Sequence, residues 1–149
     1  MFQVLLVDDK EAIVDGLEII IDWESYGYEI AAKATSAKAA IDIVSKQKID
    51  LVITDIRMPE MSGLDMINEM KDISKNIKFI LLSGYTEFEY AKFAIDKNIS
   101  GYILKPIDED ELIGLLKKIK TEFEKENDYE THKIMMYILS ALENENIDK

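Results

Sequence analysis

Residues 50–59 read DLVITDIRMP. Residues 50–54 (DLVIT) read as a short, apolar, buried strand. The strand stops at a carboxylate, Asp55, and Met58-Pro59 then breaks the chain. An apolar run too short for a helix, closed by an acid and a turn, is the signature of a parallel strand covered on both faces.

The same grammar repeats in both directions. Residues 3–7 (QVLLV) form an apolar run that ends at Asp8-Asp9. Ile13, Gly16, Leu17, Ile20 and Ile21 then recur at helical spacing. Tyr28–Ala34 reads as a second strand and Ala37–Lys46 as a helix with Ala40, Ile41 and Val44 on one side. Beyond the quoted stretch, Ser62-Gly63 opens a helix carrying Leu64, Ile67 and Met70. Residues 77–82 (IKFILL) form a fourth strand, closed by Ser83-Gly84. Phe88, Ala91 and Ile95 mark a fourth helix. Gly101–Leu104 is a fifth strand, closed by Lys105-Pro106, and Leu112, Leu115, Leu116, Ile119 and Phe123 stripe a fifth helix. Five alternating units predict an α/β fold: a parallel sheet with helices on both faces. Past Phe123 the chain turns charged, then apolar again over residues 134–142. This predicts a sixth helix or the start of a linker. The expected division is therefore a domain over residues 1–125 and a helical tail over 126–149.

Composition narrows the function. With 149 residues and 48% apolar content, one packed domain is expected. The net charge of −12, from 30 acidic and 18 basic residues, argues against this segment binding nucleic acid. No cysteine is present, which excludes disulfides and cysteine-based zinc or redox chemistry. No stretch is long and apolar enough for a signal peptide or a membrane span, so a soluble cytoplasmic protein is expected.

In open parallel sheets, sites form beyond the carboxyl ends of the strands. Here those ends carry Asp8 and Asp9, Asp55, Ser83 and Lys105. Three clustered carboxylates repel one another unless a cation joins them. Oxygen ligands without His or Cys suit magnesium or manganese. A carboxylate nucleophile, a metal, a hydroxyl and a fixed ammonium are the parts needed to form an aspartyl phosphate. Taken singly, each has an ordinary reading: Asp9 as a helix cap, Asp55 as a turn acid, Ser83-Gly84 as a turn. Their co-occurrence at separate strand ends carries the argument.

The chain resembles the receiver domains of two-component response regulators over about residues 2–123. VLLVDDKEA, DLVITDIRMPEMSGLDMI, ILLSGY and GYILKPI carry the likeness. The resemblance implies a flavodoxin-like (βα)5 fold with strand order 2-1-3-4-5. It implies Asp55 as phosphoacceptor, Asp8 and Asp9 as metal holders, and the backbone carbonyl of Arg57 as a further metal ligand. Ser83 becomes the switch hydroxyl, Lys105 the cation that pairs with the phosphoryl group, and Tyr102 the aromatic switch. A cis peptide is implied at Lys105-Pro106. The likeness is greatest to receivers paired with AraC-type DNA-binding domains, carried by Ile21-Asp22-Trp23, the DIRMP segment and the residues around Tyr85 and Phe88-Glu89-Tyr90-Ala91.

The implied function is a phosphoacceptor switch rather than a turnover enzyme. The donor is a histidine kinase or a small acyl phosphate. The output is transcription through a DNA-binding domain absent from these residues, with the fourth helix, fifth strand and fifth helix as output and homodimer face. Lys10, Ser36-Ala37 and Lys97-Asn98 depart from the family's usual residues without removing a site group. Three rivals are weaker. A metal-dependent phosphatase using an aspartyl nucleophile would carry an acid where Arg57 stands. A flavodoxin-like cofactor binder needs a Ser-, Thr- or Gly-rich loop after the first strand, where this chain has Asp8-Asp9-Lys10-Glu11. An interaction module that is never phosphorylated has no need of the full acidic set. His132 reads as a surface helix residue, and Trp23 as packing at the end of the first helix.

Overall fold

The computed structural model describes residues 1–84 and 99–147. Its five strands are β1 (Phe2–Val7), β2 (Tyr28–Ala34), β3 (Leu51–Asp55), β4 (Lys78–Ser83) and β5 (Gly101–Leu104). They form one sheet in the order β2-β1-β3-β4-β5, with every neighbouring pair parallel. This is the doubly wound order expected from the sequence. The helices among the described residues are α1 (Glu11–Ile20), α2 (Ala37–Lys46), α3 (Gly63–Ile73) and a long α4 (Glu109–Ile147), with a short 3-10 turn over Trp23–Tyr26. The fourth helix expected around Phe88, Ala91 and Ile95 lies outside the described residues.

The central strands are apolar because both faces are covered. Residues 4–7 of β1 and all of β3 are buried, as are Phe79 to Ser83 of β4. One cluster joins Leu5 and Val7 of β1, Val52 of β3 and Phe79 and Leu81 of β4 to Ala40 and Val44 of α2 and Met66, Ile67 and Met70 of α3. Trp23 is buried, and its indole N–H donates to the Leu17 carbonyl of α1 at 3.0 Å. Ser36 caps α2, accepting from the Ala39 N–H at 3.1 Å.

The chain divides into two units, Met1–Leu115 and Leu116–Lys149. The expected separate tail helix is instead continuous with the helix before it, since α4 runs without a break from Glu109 to Ile147. The charged stretch 122–133 contains neither proline nor glycine, so nothing in the backbone ends the helix there. Leu116, Ile119 and Phe123 are buried, whereas the apolar residues at 134–139 and Leu142 are exposed.

Candidate phosphoacceptor site

Strand register brings the predicted site residues to one rim. Val7 lies beside Thr54, Asp55 beside Leu82, and Ser83 beside Leu104. Asp8 therefore leaves β1, Asp55 closes β3, Ser83 closes β4 and Lys105 leaves β5 at nearly the same level.

The geometry is tight. Carboxylate oxygens of Asp8, Asp9 and Asp55 lie within 4.8 Å of one another. The Lys105 Nζ stands 3.2 Å from Asp8 Oδ2 and 3.4 Å from Asp55 Oδ1. Asp8 is fully buried and Asp55 is 9% exposed, while Asp9 lies nearer the solvent. Backbone donors fix both buried acids. Asp8 Oδ1 accepts from the Lys10 N–H at 2.9 Å, and Asp55 Oδ1 from the Ile56 N–H at 3.0 Å. Asp9 does not cap α1: the N-cap residue is Lys10, with no side-chain cap bond, and Asp8 is the acid that turns to the backbone there.

Ser83 and Tyr102 meet through their hydroxyls, which are hydrogen-bonded to each other. Ser83 also donates to the Gly84 carbonyl at 2.9 Å, so its single proton is committed and Tyr102 is the donor between them. Lys105-Pro106 is a cis peptide, as the resemblance implied. Arg57 lies in the loop leaving β3 with its side chain exposed. Tyr85 and the aromatic residues Phe88, Tyr90 and Phe93 fall outside the described residues.

One contributor was not singled out from the sequence. A Cβ built on Gly63 would fall on the backbone carbonyl oxygen of Asp55, with the Ile56 Cα at 3.2 Å. The Gly63 N–H donates to the Ile56 carbonyl at 2.7 Å. The first residue of α3 therefore braces the backbone of Asp55 from behind. The signal was a glycine eight positions after the acid, at a helix start where many residues would otherwise serve.

Electrostatics distinguishes the groups. Burial pushes the Asp55 carboxyl above its ordinary range and the nearby Asp8 charge adds to this, while Lys105 and the Ile56 N–H oppose it. Burial pulls the Lys105 ammonium down, but Asp55 and Asp8 outweigh it, so Lys105 is held above its ordinary value as a firm cation. Three carboxylates against one ammonium leave room for a further positive charge. Hard, convergent oxygens with one side open to solvent fit a divalent cation such as magnesium.

The chain belongs to the response regulator receiver domain family, whose model matches residues 4–117. It is 39% identical over 127 residues to an uncharacterised transcriptional regulatory protein, YesN, of Bacillus subtilis, covering 85% of this chain and 34% of that protein. It is 36% identical over 119 residues to the transcriptional regulatory protein HptR of Staphylococcus aureus, covering 80% of this chain and 46% of that one. The chain thus spans a third to a half of these curated relatives. Among solved structures it resembles the receiver domain of AraT, a response regulator of Geobacillus stearothermophilus. The TM-score is 0.80 at 32% identity, covering 85% of this chain and 98% of that one. A two-component transcriptional regulator AraC from Clostridium phytofermentans gives 0.76 at 32%, covering 83% and 97%. No helix among the described residues is long and apolar enough to cross a membrane.

Proposed function

We propose that this chain is a phosphoacceptor switch that takes a phosphoryl group on Asp55 and returns it to water, rather than a turnover enzyme. The observation that carries this reading is the bridge of Lys105 Nζ to Asp8 and Asp55, 3.2 and 3.4 Å away, inside a cluster of three carboxylates. Asp55 presents its free oxygen as nucleophile while the Ile56 N–H holds the other. It attacks phosphorus, the bond to a histidine nitrogen or an acyl oxygen breaks, and the donor leaves with the electron pair. Lys105 is placed to neutralise the arriving phosphoryl oxygens, and Ser83 to donate to one of them once it releases Gly84. Asp8, Asp9, Asp55 and the Arg57 carbonyl would hold Mg2+, or Mn2+, which offsets negative charge on the transferring group when bound.

In the whole protein, the donor is a histidine kinase in the cytoplasm. The output is transcription through an AraC-type DNA-binding domain, by analogy with the regulators this chain resembles. Residues 1–125 form the receiver and 126–149 the helical tail leading out of it. Tyr102, β5, the start of α4 and the predicted helix before β5 make the output face, where two receivers would pair.

Intact mass after incubation with acetyl phosphate and magnesium tests the reaction. The expected gain is one phosphoryl group, absent from Asp55→Asn and from chelated protein. If neither acetyl phosphate nor beryllofluoride modifies the site, phosphoacceptance is wrong and an unphosphorylated interaction module takes its place.

A further inference from the structure

Thr54 is fully buried, and it is the one polar side chain of β3 ahead of Asp55. Valine has the same branched shape and would suit a buried strand as well. A hydroxyl placed there costs free energy unless it is bonded. Its bond goes to the next residue: Thr54 Oγ1 donates to the backbone carbonyl of Asp55 at 2.9 Å. The same oxygen fills the space left by Gly63, where a Cβ would stand 2.3 Å from it. One carbonyl is thus held by a hydroxyl and enclosed by a missing side chain.

A peptide unit is planar, so fixing its oxygen also fixes the N–H on its opposite edge. In the Asp55–Ile56 unit that N–H donates to Asp55 Oδ1 at 3.0 Å and to the Leu82 carbonyl at 3.2 Å. Successive side chains of a strand leave opposite faces of the sheet. Thr54 therefore acts on the Asp55 carboxylate through the backbone rather than by touching it.

We propose that Thr54 is a positioning residue for the phosphoacceptor. Its hydroxyl sets the plane of the Asp55–Ile56 peptide, which holds Asp55 Oδ1 and leaves the second carboxylate oxygen to attack phosphorus. This rests on the reading of Asp55 as phosphoacceptor. It adds a residue that needs to touch neither the donor nor the metal. An ordinary strand role calls for the branched shape and not the hydroxyl, so the two roles separate by mutation.

Thr54→Val keeps the shape and removes the hydroxyl. Thr54→Ser keeps the hydroxyl and removes a buried methyl. With acetyl phosphate and magnesium, Thr54→Val should take up the phosphoryl group about fivefold more slowly than wild type, the equivalent of one hydrogen bond of about 1 kcal/mol. Thr54→Ser should melt lower than wild type, because it leaves a small cavity, and still react at close to the wild-type rate. If Thr54→Val does not fold, Thr54→Ala against Thr54→Ser makes the same comparison, since both lack the methyl and only serine keeps the hydroxyl. Deuterium exchange at the Ile56 amide, followed by NMR in chelated protein, reads the peptide without the reaction. Relative to the mid-strand Ile53 amide, it should quicken about fivefold in Thr54→Val and hold in Thr54→Ser. Wild-type protein that took up no phosphoryl group would sink the acceptor reading, and the exchange measurement would still judge Thr54. Rates that follow melting temperature rather than the hydroxyl, or an Ile56 amide indifferent to Thr54→Val, would overturn the proposal.

Discussion

Tyr102 donates a hydrogen bond to the hydroxyl of Ser83, whose own proton goes to Gly84. Ser83 closes β4 and Tyr102 lies within the neighbouring strand β5, where it also packs against the main apolar cluster. Ser83 is therefore tied down by both Tyr102 and Gly84. Releasing it requires breaking a bond worth about 1 kcal/mol.

Tyr102→Phe keeps the ring and removes that bond. The phosphorylated fraction at limiting acetyl phosphate should rise a few-fold, since 1.4 kcal/mol corresponds to about tenfold. Ser83→Ala should lower it. Intact mass spectrometry at matched times reads both. A Tyr102→Phe protein with an unchanged or lower fraction would show that the tyrosine does not compete for the serine.

The raised Asp55 carboxyl gives a stability prediction for chelated protein. Its folded pKa lies above the ordinary 3.8, chiefly through burial. The folded state therefore holds the proton more tightly than the unfolded chain does. Stability is full below about pH 3.8 and is lost as pH rises through the elevated value. Asp55→Asn removes this loss, so at neutral pH the variant should melt higher than wild type, by about 2–4 °C for each kcal/mol recovered. The gap should close as pH falls toward 3.8. Calorimetry across pH checks it, and a variant melting lower at neutral pH would reverse the assigned balance between burial and Lys105.

Magnesium should act in the opposite sense. A ligand at 100 times its dissociation constant stabilises by about 2.7 kcal/mol. Wild-type protein should gain that order of stability on magnesium addition, and Asp8→Asn or Asp55→Asn should lose most of it. Equal gains in all three proteins would place the cation elsewhere.

Lys105 offers a paired test. Lys105→Ala leaves two buried acids without their cation, which should cost about 1–3 kcal/mol in chelated protein, because the lysine is 27% exposed and its ion pairs are partly screened. Its raised pKa has a clear sign: the stability it contributes is present below 10.5 and is lost as pH rises through the higher folded value. Magnesium should narrow the gap in melting temperature between Lys105→Ala and wild type, while phosphorylation stays at least tenfold slower. Full recovery of phosphorylation would mean that the lysine serves the fold and not the transfer.

The sequence disclosed what depends on side-chain character and hid what depends on backbone approach. Continuous apolar runs marked the strands: Tyr28–Ala34 and Gly101–Leu104 were legible to the residue, and the other three to within one residue at each end. Asp8, Asp9, Asp55, Ser83 and Lys105 were legible because they stand at the carboxyl ends of the apolar runs, and parallel strands align their ends. The tail misled because its apolar period lapses between Phe123 and Ile134. A lapse in periodicity removes a packed face, not the helix, when no residue there breaks it.

Gly63 is the clearest hidden element and yields the last prediction. Its missing side chain leaves space occupied by the carbonyl of Asp55, and a backbone atom cannot swing aside as a flexible side chain can. Gly63→Ala should therefore move β3 and α3 apart, cost about 2–4 kcal/mol, and slow phosphorylation by displacing Asp55 and the loop through Arg57. Gly16 is the matched control. It lies inside α1, and a methyl group placed there would have nothing within 4 Å. Gly16→Ala should be neutral or stabilising by about 0.5–1 kcal/mol, since alanine is the better helix former. Chemical denaturation of both variants, with phosphorylation measured alongside, separates the two cases. If Gly63→Ala proved as mild as Gly16→Ala, the brace behind Asp55 would not be what holds the acceptor in place.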